Sequence, residues 1–209
     1  MRKLVFLTAC ALLKCACADA LPEFELTVTN ALNQKSCLVS SDFTNYIWQC
    51  ASQGTNAELS LSARIIMGVS QLEIFNESVD ETALAAAFHS VSNALASPIL
   101  STNQWQNWHI AILNITCLNT ANDLQGAYSA ASNAWDSIQL SGFVDSTNLI
   151  SRSLIKYYGI DSDISIKATI ALYKALAAEM VGKHEESNSL KVYLPDCIKQ
   201  KMERFLSDE

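Results

Sequence analysis

An all-α fold is what this sequence predicts, and three observations predict it. Apolar residues recur at the 3.6-residue spacing of a helix along nearly the whole chain. Alanine and leucine, both strong helix formers, are abundant, whereas 209 residues include only six glycines and three prolines. No run shows the strict alternation of a half-buried strand. The expected architecture is a disulfide-stapled bundle or stacked array of about eight or nine helices.

The first residues read as an address. Met1-Arg2-Lys3 is basic, Leu4 to Leu13 is an apolar run, and Ala16-Cys17-Ala18 fits the small-residue cleavage rule. Lys14 ends the run well short of the roughly 20 apolar residues that a membrane span needs. Residues 1–18 are therefore expected to be a cleaved signal peptide. Residues 19–209 are expected to form a single helical domain, delivered outside the cell and without a membrane span.

The helices follow in order. Phe24 to Gln34 is the first, ending near Cys37. Ser41 or Asp42 caps a second that carries Tyr46, Trp48 and Cys50 and stops at Gly54. Asn56 opens a longer helix with Leu61, Ile65, Val69 and Leu72 along one face. Ser78-Val79-Asp80-Glu81 has the form of a capping box. The helix after it presents Leu84, Phe88, Val91 and Leu95, and Pro98 ends it. Ser101-Thr102-Asn103-Gln104 is a second such box. It precedes a helix whose Trp105, Trp108, Ile112 and Ile115 make a core seam, with Asn103, Asn107 and Asn114 on a wetter face. A further helix from Ala121 carries Leu124, Tyr128, Ala131, Trp135 and Ile138 and breaks at Ser141-Gly142. Another runs from Asp145 to Gly159. Asp161 caps the next, with Ile166, Ile170, Tyr173, Ala177 and Met180 facing inward and Gly182 at its C-terminal corner. Lys183 to Asn188 reads as a polar loop, and Pro195 opens the last helix.

Cysteine usage fits export. Cys10, Cys15 and Cys17 leave with the leader, and Cys37, Cys50, Cys117 and Cys197 remain. Four cysteines in an exported chain imply two disulfides, with three pairings open. Cys37–Cys50 with Cys117–Cys197 is preferred because the first pair is local. Loops of these lengths would stabilise by about 3 and about 4.5 kcal/mol in the chain-entropy picture. Asn76-Glu77-Ser78 and Asn114-Ile115-Thr116 are N-glycosylation acceptors, provided that each asparagine reaches the surface. Cys37, Cys117 and Cys197 also lie 80 residues apart. Leu32-Asn33 before Cys37 is echoed by Leu113-Asn114 before Cys117. A duplication would give halves near 24–117 and 105–197. The competing explanation is that Ala- and Leu-rich helices resemble one another anyway.

Composition excludes several functions. Without the leader, eleven basic face 21 acidic residues, a net charge of −10. Between Asp19 and Ser151 the basic residues are Lys35 and Arg64 alone. Nucleic acid needs clustered lysine and arginine, so it is not an expected partner. No catalytic, cofactor or metal motif occurs, and no CxxC remains after cleavage. His89 and His109 lie on helices and His184 in a polar stretch, so no catalytic residue, metal ligand or cofactor is nominated.

The aromatics carry the binding expectation. Trp48, Trp105, Trp108, Trp135 and Tyr128 sit on three helices and could line an interior for a small apolar ligand. Otherwise they fill the core. The expected function is thus a secreted, non-enzymatic binding protein for such a ligand or for another secreted protein. The alanine-rich runs Ala85-Ala86-Ala87 and Ala127 to Ala134 suit a protein interface. A structural component of an extracellular material is the alternative, and a secreted hydrolase is a third reading. Oligomeric state is left open.

Overall fold

The computed structural model describes residues 21–53, 56–97, 104–140, 149–158 and 165–207. Among these residues every regular element is a helix. The eleven α-helices are α1 (Leu21–Asn33), α2 (Lys35–Leu38), α3 (Ser41–Gln53), α4 (Ala57–Ser78), α5 (Glu81–Leu95), α6 (Gln104–Thr120), α7 (Leu124–Leu140), α8 (Leu149–Tyr157), α9 (Ile166–Met180), α10 (His184–Leu190) and α11 (Asp196–Ser207). A 3-10 turn, Lys191–Tyr193, joins the last two. No described helix is long and apolar enough to cross a membrane. The chain divides into two units, Met1–Thr102 and Asn103–Glu209.

The first unit is built around α4, against which α1, α2, α3 and α5 all pack. Asn56 starts this helix by accepting from the amides of Glu58 (2.9 Å) and Leu59 (3.2 Å). Leu61, Ile65, Val69 and Leu72 are buried as their spacing predicts, and Leu59, Ala63 and Ile66 are buried as well. A helix covered by four neighbours needs apolar residues around its circumference rather than along one stripe.

Helix α5 departs from expectation. It turns Ala83, Ala87, Val91 and Ala94 inward, while Leu84 and Phe88 are half-buried and Leu95 is 51% exposed. Small side chains let this helix approach α4 closely, which the larger leucines would prevent. The Arg64 guanidinium ties the two helices by donating to the Asn93 carbonyl at 3.0 Å. The cap between them is also displaced. Ser78 ends α4, its hydroxyl donating to Ile74 O, and the N-cap is Asp80, which accepts from the Thr82 amide and hydroxyl at 2.9 and 2.7 Å. Upstream, the hydroxyl that accepts from the third-residue amide of α3 belongs to Ser40 rather than to Ser41 or Asp42. Gly54, Pro98 and the box at 101–103 lie outside the described residues.

The second unit is built around α9, which touches α6, α7, α10 and the 3-10 turn. Its main core contains Trp108, Ile112, Trp135, Ile170, Leu190 and Ile198. Ala127, Ala131 and Ala177 meet Ile115 in a smaller cluster. The alanines of α7 are thus consumed by packing inside the unit. In the first unit, Ala87 is buried and Ala85 is exposed.

Two corners of this unit share one geometry. Asn122 and Gly182 adopt left-handed φ values of 59° and 78°. Asn122 N donates to Asn119 O and Asp123 N to Leu118 O, while Gly182 N donates to Glu179 O and Lys183 N to Ala178 O. Each is a Schellman closure that satisfies the last carbonyls of a helix. Three expectations fail nearby. Asp161 lies outside the described residues, and the cap of α9 is Ser165, accepting from Ala168 N at 3.1 Å. Met180, the last residue of α9, is 42% exposed rather than facing inward. Residues 184–190 form α10, not a loop, because Ser187 and Leu190 face the core at three-residue spacing.

No disulfide joins Cys37, Cys50, Cys117 or Cys197 in this structure, so the expected staples are not part of it. Cys37 is half-buried, Cys50 and Cys117 are buried, and Cys197 is exposed. The matched text also takes two shapes. Leu32-Asn33 ends α1, with Cys37 in the following short helix. Leu113-Asn114 and Cys117 share the unbroken α6.

Candidate functional site

The five aromatic candidates do not converge. Trp108 and Trp135 are buried in the main core of the second unit, and Trp105 packs against it. Tyr128 packs on the smaller alanine cluster. Trp48 belongs to the other unit, where it is 55% exposed. Among the described residues, indoles of the second unit pack on other rings, with Trp135 meeting Tyr193 edge-on at 4.9 Å and Trp105 meeting His109 edge-on at 5.9 Å.

Tyr128 takes part in a polar tie. Its hydroxyl donates to Glu186 Oε2 at 2.6 Å and accepts from Lys183 Nζ at 2.9 Å, and that ammonium lies 4.0 Å from its ring centroid. The other Glu186 oxygen meets the buried Lys174 ammonium at 2.9 Å. The Tyr128 hydrogen bond, followed by Lys174, holds the Glu186 carboxyl below its ordinary range despite partial burial. The stretch that reads from sequence as solvated charge thus joins α7, α9 and α10. Beside it, His184 Nδ1 and Glu179 Oε1 are 2.8 Å apart.

A histidine and a serine meet deep in the second unit. His109 Nε2 lies 2.8 Å from Ser151 Oγ, and both residues are buried. Tyr158 stacks on the imidazole at 6.3 Å and meets Tyr173 edge-on at 6.2 Å. This distance is right for a nucleophile and its base, but the surroundings are wrong for catalysis. Burial pushes the imidazole down to about 3, far below a useful general base. Among the described residues its Nδ1 has no hydrogen-bond partner, and none of their carboxylates orients the ring. Burial also pushes the Cys117 thiol up to about 12, which keeps it a thiol and a poor nucleophile. The arrangement therefore specifies the packing of α6 against α8. Sequence offers no signal for it, because the partners are 42 residues apart.

An accessible cleft lies in the first unit. Trp48 borders this cleft of about 190 Å³ between α3 and α4, with Thr44, Asn45, Met67 and Gln71 among its walls. None of the residues lining it is ionisable. The local sequence explains why this indole faces out. Phe43, Ile47 and Cys50, at spacings of four and three, form the buried seam of α3. Trp48 falls one position off that seam, on the side of Asn45. Thr44 donates its hydroxyl back to the Ser40 and Ser41 carbonyls. Among the described residues, the amides of Asn45 and Gln71 have no partner and are available to a ligand.

Of the two sequons, Asn76 is exposed at the end of α4. Asn114 is half-buried on α6, and Ile110, Leu113 and Cys117 around it are fully buried. The asparagine face is therefore drier than its composition suggests. Among the described residues no group of histidine, cysteine or acidic side chains is placed to hold a metal ion. No protein-family model, no curated protein and no solved structure matches the chain.

Proposed function

We propose that this chain is a secreted, acidic glycoprotein that binds a ligand without transforming it, and that Trp48 is the centre of its recognition surface. One observation carries the reading. A tryptophan that could have been placed in the core is instead 55% exposed beside a cleft with uncharged walls. A concavity lined by apolar and aromatic side chains with a few placed polar groups is where a ligand is first to be sought. The closed setting of the His109–Ser151 pair supports a non-enzymatic role. The cleft is smaller than the pockets of about 300 Å³ or more that enclose whole drug-sized ligands. It therefore suits one flat moiety of a ligand, whether small or part of a larger partner.

Export, glycosylation at Asn76 and oxidation of the thiols belong to the same proposal. The preferred pairing keeps each bridge within one unit, Cys37 with Cys50 and Cys117 with Cys197, and the second bridge requires a local rearrangement, because Cys117 is buried and Cys197 exposed.

Native mass spectrometry of the protein recovered from secreting cells tests the binding reading. The expected result is a population carrying additional non-covalent mass that is lost in Trp48→Ala and retained in Leu95→Ala, a control at another exposed apolar residue. Equal retention of that mass by both variants would remove Trp48 from the proposal.

A further inference from the structure

The chemistry of the cleft narrows its ligand, on the reading just given that Trp48 is a binding residue. The walls offer three kinds of group. The indole of Trp48 supplies a flat, electron-rich apolar face that is open to solvent. Met67 adds a half-buried thioether, polarisable and adaptable in shape. Asn45 and Gln71 each supply an amide that donates through nitrogen and accepts through oxygen. The Thr44 hydroxyl, already donating to backbone, remains an acceptor.

This combination selects by exclusion. A phosphate or carboxylate would require a cation, and a Lys ammonium or Arg guanidinium held as an ion pair would require an acid. The lining has neither. A purely aliphatic ligand would leave the exposed Asn45 amide and the half-buried Gln71 amide facing apolar surface, at the cost of their hydration. What fits is a neutral group with one apolar face and an edge of hydroxyls that both donate and accept. A pyranose ring has that form. Its axial C–H bonds form a flat patch that carries partial positive charge, complementary to the indole face, and its equatorial hydroxyls lie in the plane where side-chain amides can reach them. The volume of about 190 Å³ lies below the roughly 300 Å³ of pockets that enclose whole drug-sized ligands. It is on the scale of a single sugar ring.

We infer that the cleft between α3 and α4 is a binding subsite for one neutral sugar ring, stacked on Trp48 and hydrogen-bonded at its edge by Asn45 and Gln71. A single ring held by one stack and two amides binds weakly. Useful affinity would come from several such sites engaging a polysaccharide or a glycan-bearing surface at once.

Saturation-transfer NMR on the full mature chain, with its own N-glycans removed, tests the assignment. The probes are the methyl glycosides of glucose, galactose, mannose and N-acetylglucosamine, with methyl glucuronide as the charged control. Indole and a proline-rich peptide are the competing stacking ligands. The expected result is saturation of the ring protons on one face of at least one neutral glycoside and none of the glucuronide. Trp48→Ala should weaken binding by at least about tenfold. Asn45→Ala and Gln71→Ala leave the stack and the buried seam intact, and each should weaken it several-fold even if Trp48→Ala disturbs folding. Glycoside binding indifferent to all three substitutions would overturn the assignment. Binding of indole or the peptide at Trp48 with no glycoside bound would overturn the sugar and leave the binding reading standing. Silence from every probe would overturn both.

Discussion

At the scale of single residues, His109 has the largest consequence. Its imidazole is held at about 3 in the folded chain by burial, against about 6.5 when unfolded. The unfolded chain therefore takes up a proton below pH 6.5 that the folded chain refuses until about pH 3. The stabilisation is fully present above pH 6.5 and falls as the pH is lowered towards 3, by up to about 1.4 kcal/mol per pH unit. Urea unfolding followed by circular dichroism should show a loss of about 2 kcal/mol between pH 7.5 and 5. His109→Asn should be less stable at pH 7.5 but should lack that part of the acid loss; an unchanged pH profile would separate the acid response from this residue. Val79 offers a test of opposite sign. It is a β-branched residue at φ 55°, 73% exposed, between α4 and α5. Left-handed backbone is unfavourable for such a side chain, so Val79→Gly should stabilise by about 1 kcal/mol net of the glycine's own entropy.

At the scale of helices, boundaries are set by a few side chains acting on backbone. Asp123 caps α7 by accepting from Gly126 N at 2.9 Å, and a Cβ on Gly126 would lie 2.3 Å from Asp123 Oδ2. Cap and glycine therefore form one device. Asp123→Ala should cost about 1 kcal/mol in the natural chain and close to nothing once Gly126 is alanine. Thermal melts of the two single variants and the double variant would reveal the coupling, and strict additivity would refute it. The tie of Tyr128, Lys174 and Glu186 couples three helices in the same way. Lys174→Met leaves the Glu186 carboxylate beside Tyr128 without its buried cation and should cost about 2 kcal/mol, reduced from the fully buried case because Glu186 is partly solvated. Adding Glu186→Leu should recover most of that loss, and a further large loss would show that the pair is worth more than its shape.

At the scale of the whole chain, export, glycosylation and thiol state can be read together. Intact-mass measurement of the secreted protein should give a chain beginning at Asp19, with a glycan removed by amidase treatment and abolished by Asn76→Gln. Asn114→Gln should change the mass little, because Asn114 stands among fully buried neighbours. Alkylation before and after reduction should convert no cysteine and then four if both disulfides form. Two oxidised pairs would have to lie within units for the preferred pairing to hold, and a Cys37–Cys197 peptide would exclude it.

The helical class was determined by sequence alone, because 3.6-residue periodicity and abundant alanine and leucine are local properties that survive any arrangement of the helices. The Asn56 cap and the Gly182 corner were legible for the same reason, since each is a contact within one turn. Tertiary packing decided the rest. Which face of α5 goes inward depends on how near α4 must come, so alanines displaced the leucines. Whether residues 184–190 are loop or helix depends on a core for Leu190 to enter. The meeting of His109 with Ser151, and of Glu186 with Lys174 and Tyr128, depends on contacts between segments distant along the chain. Of the five aromatic candidates, sequence could name the residues but not sort them. Only the burial of Phe43, Ile47 and Cys50 against α4 leaves Trp48 facing out, and that separates one accessible indole from three that pack into a core.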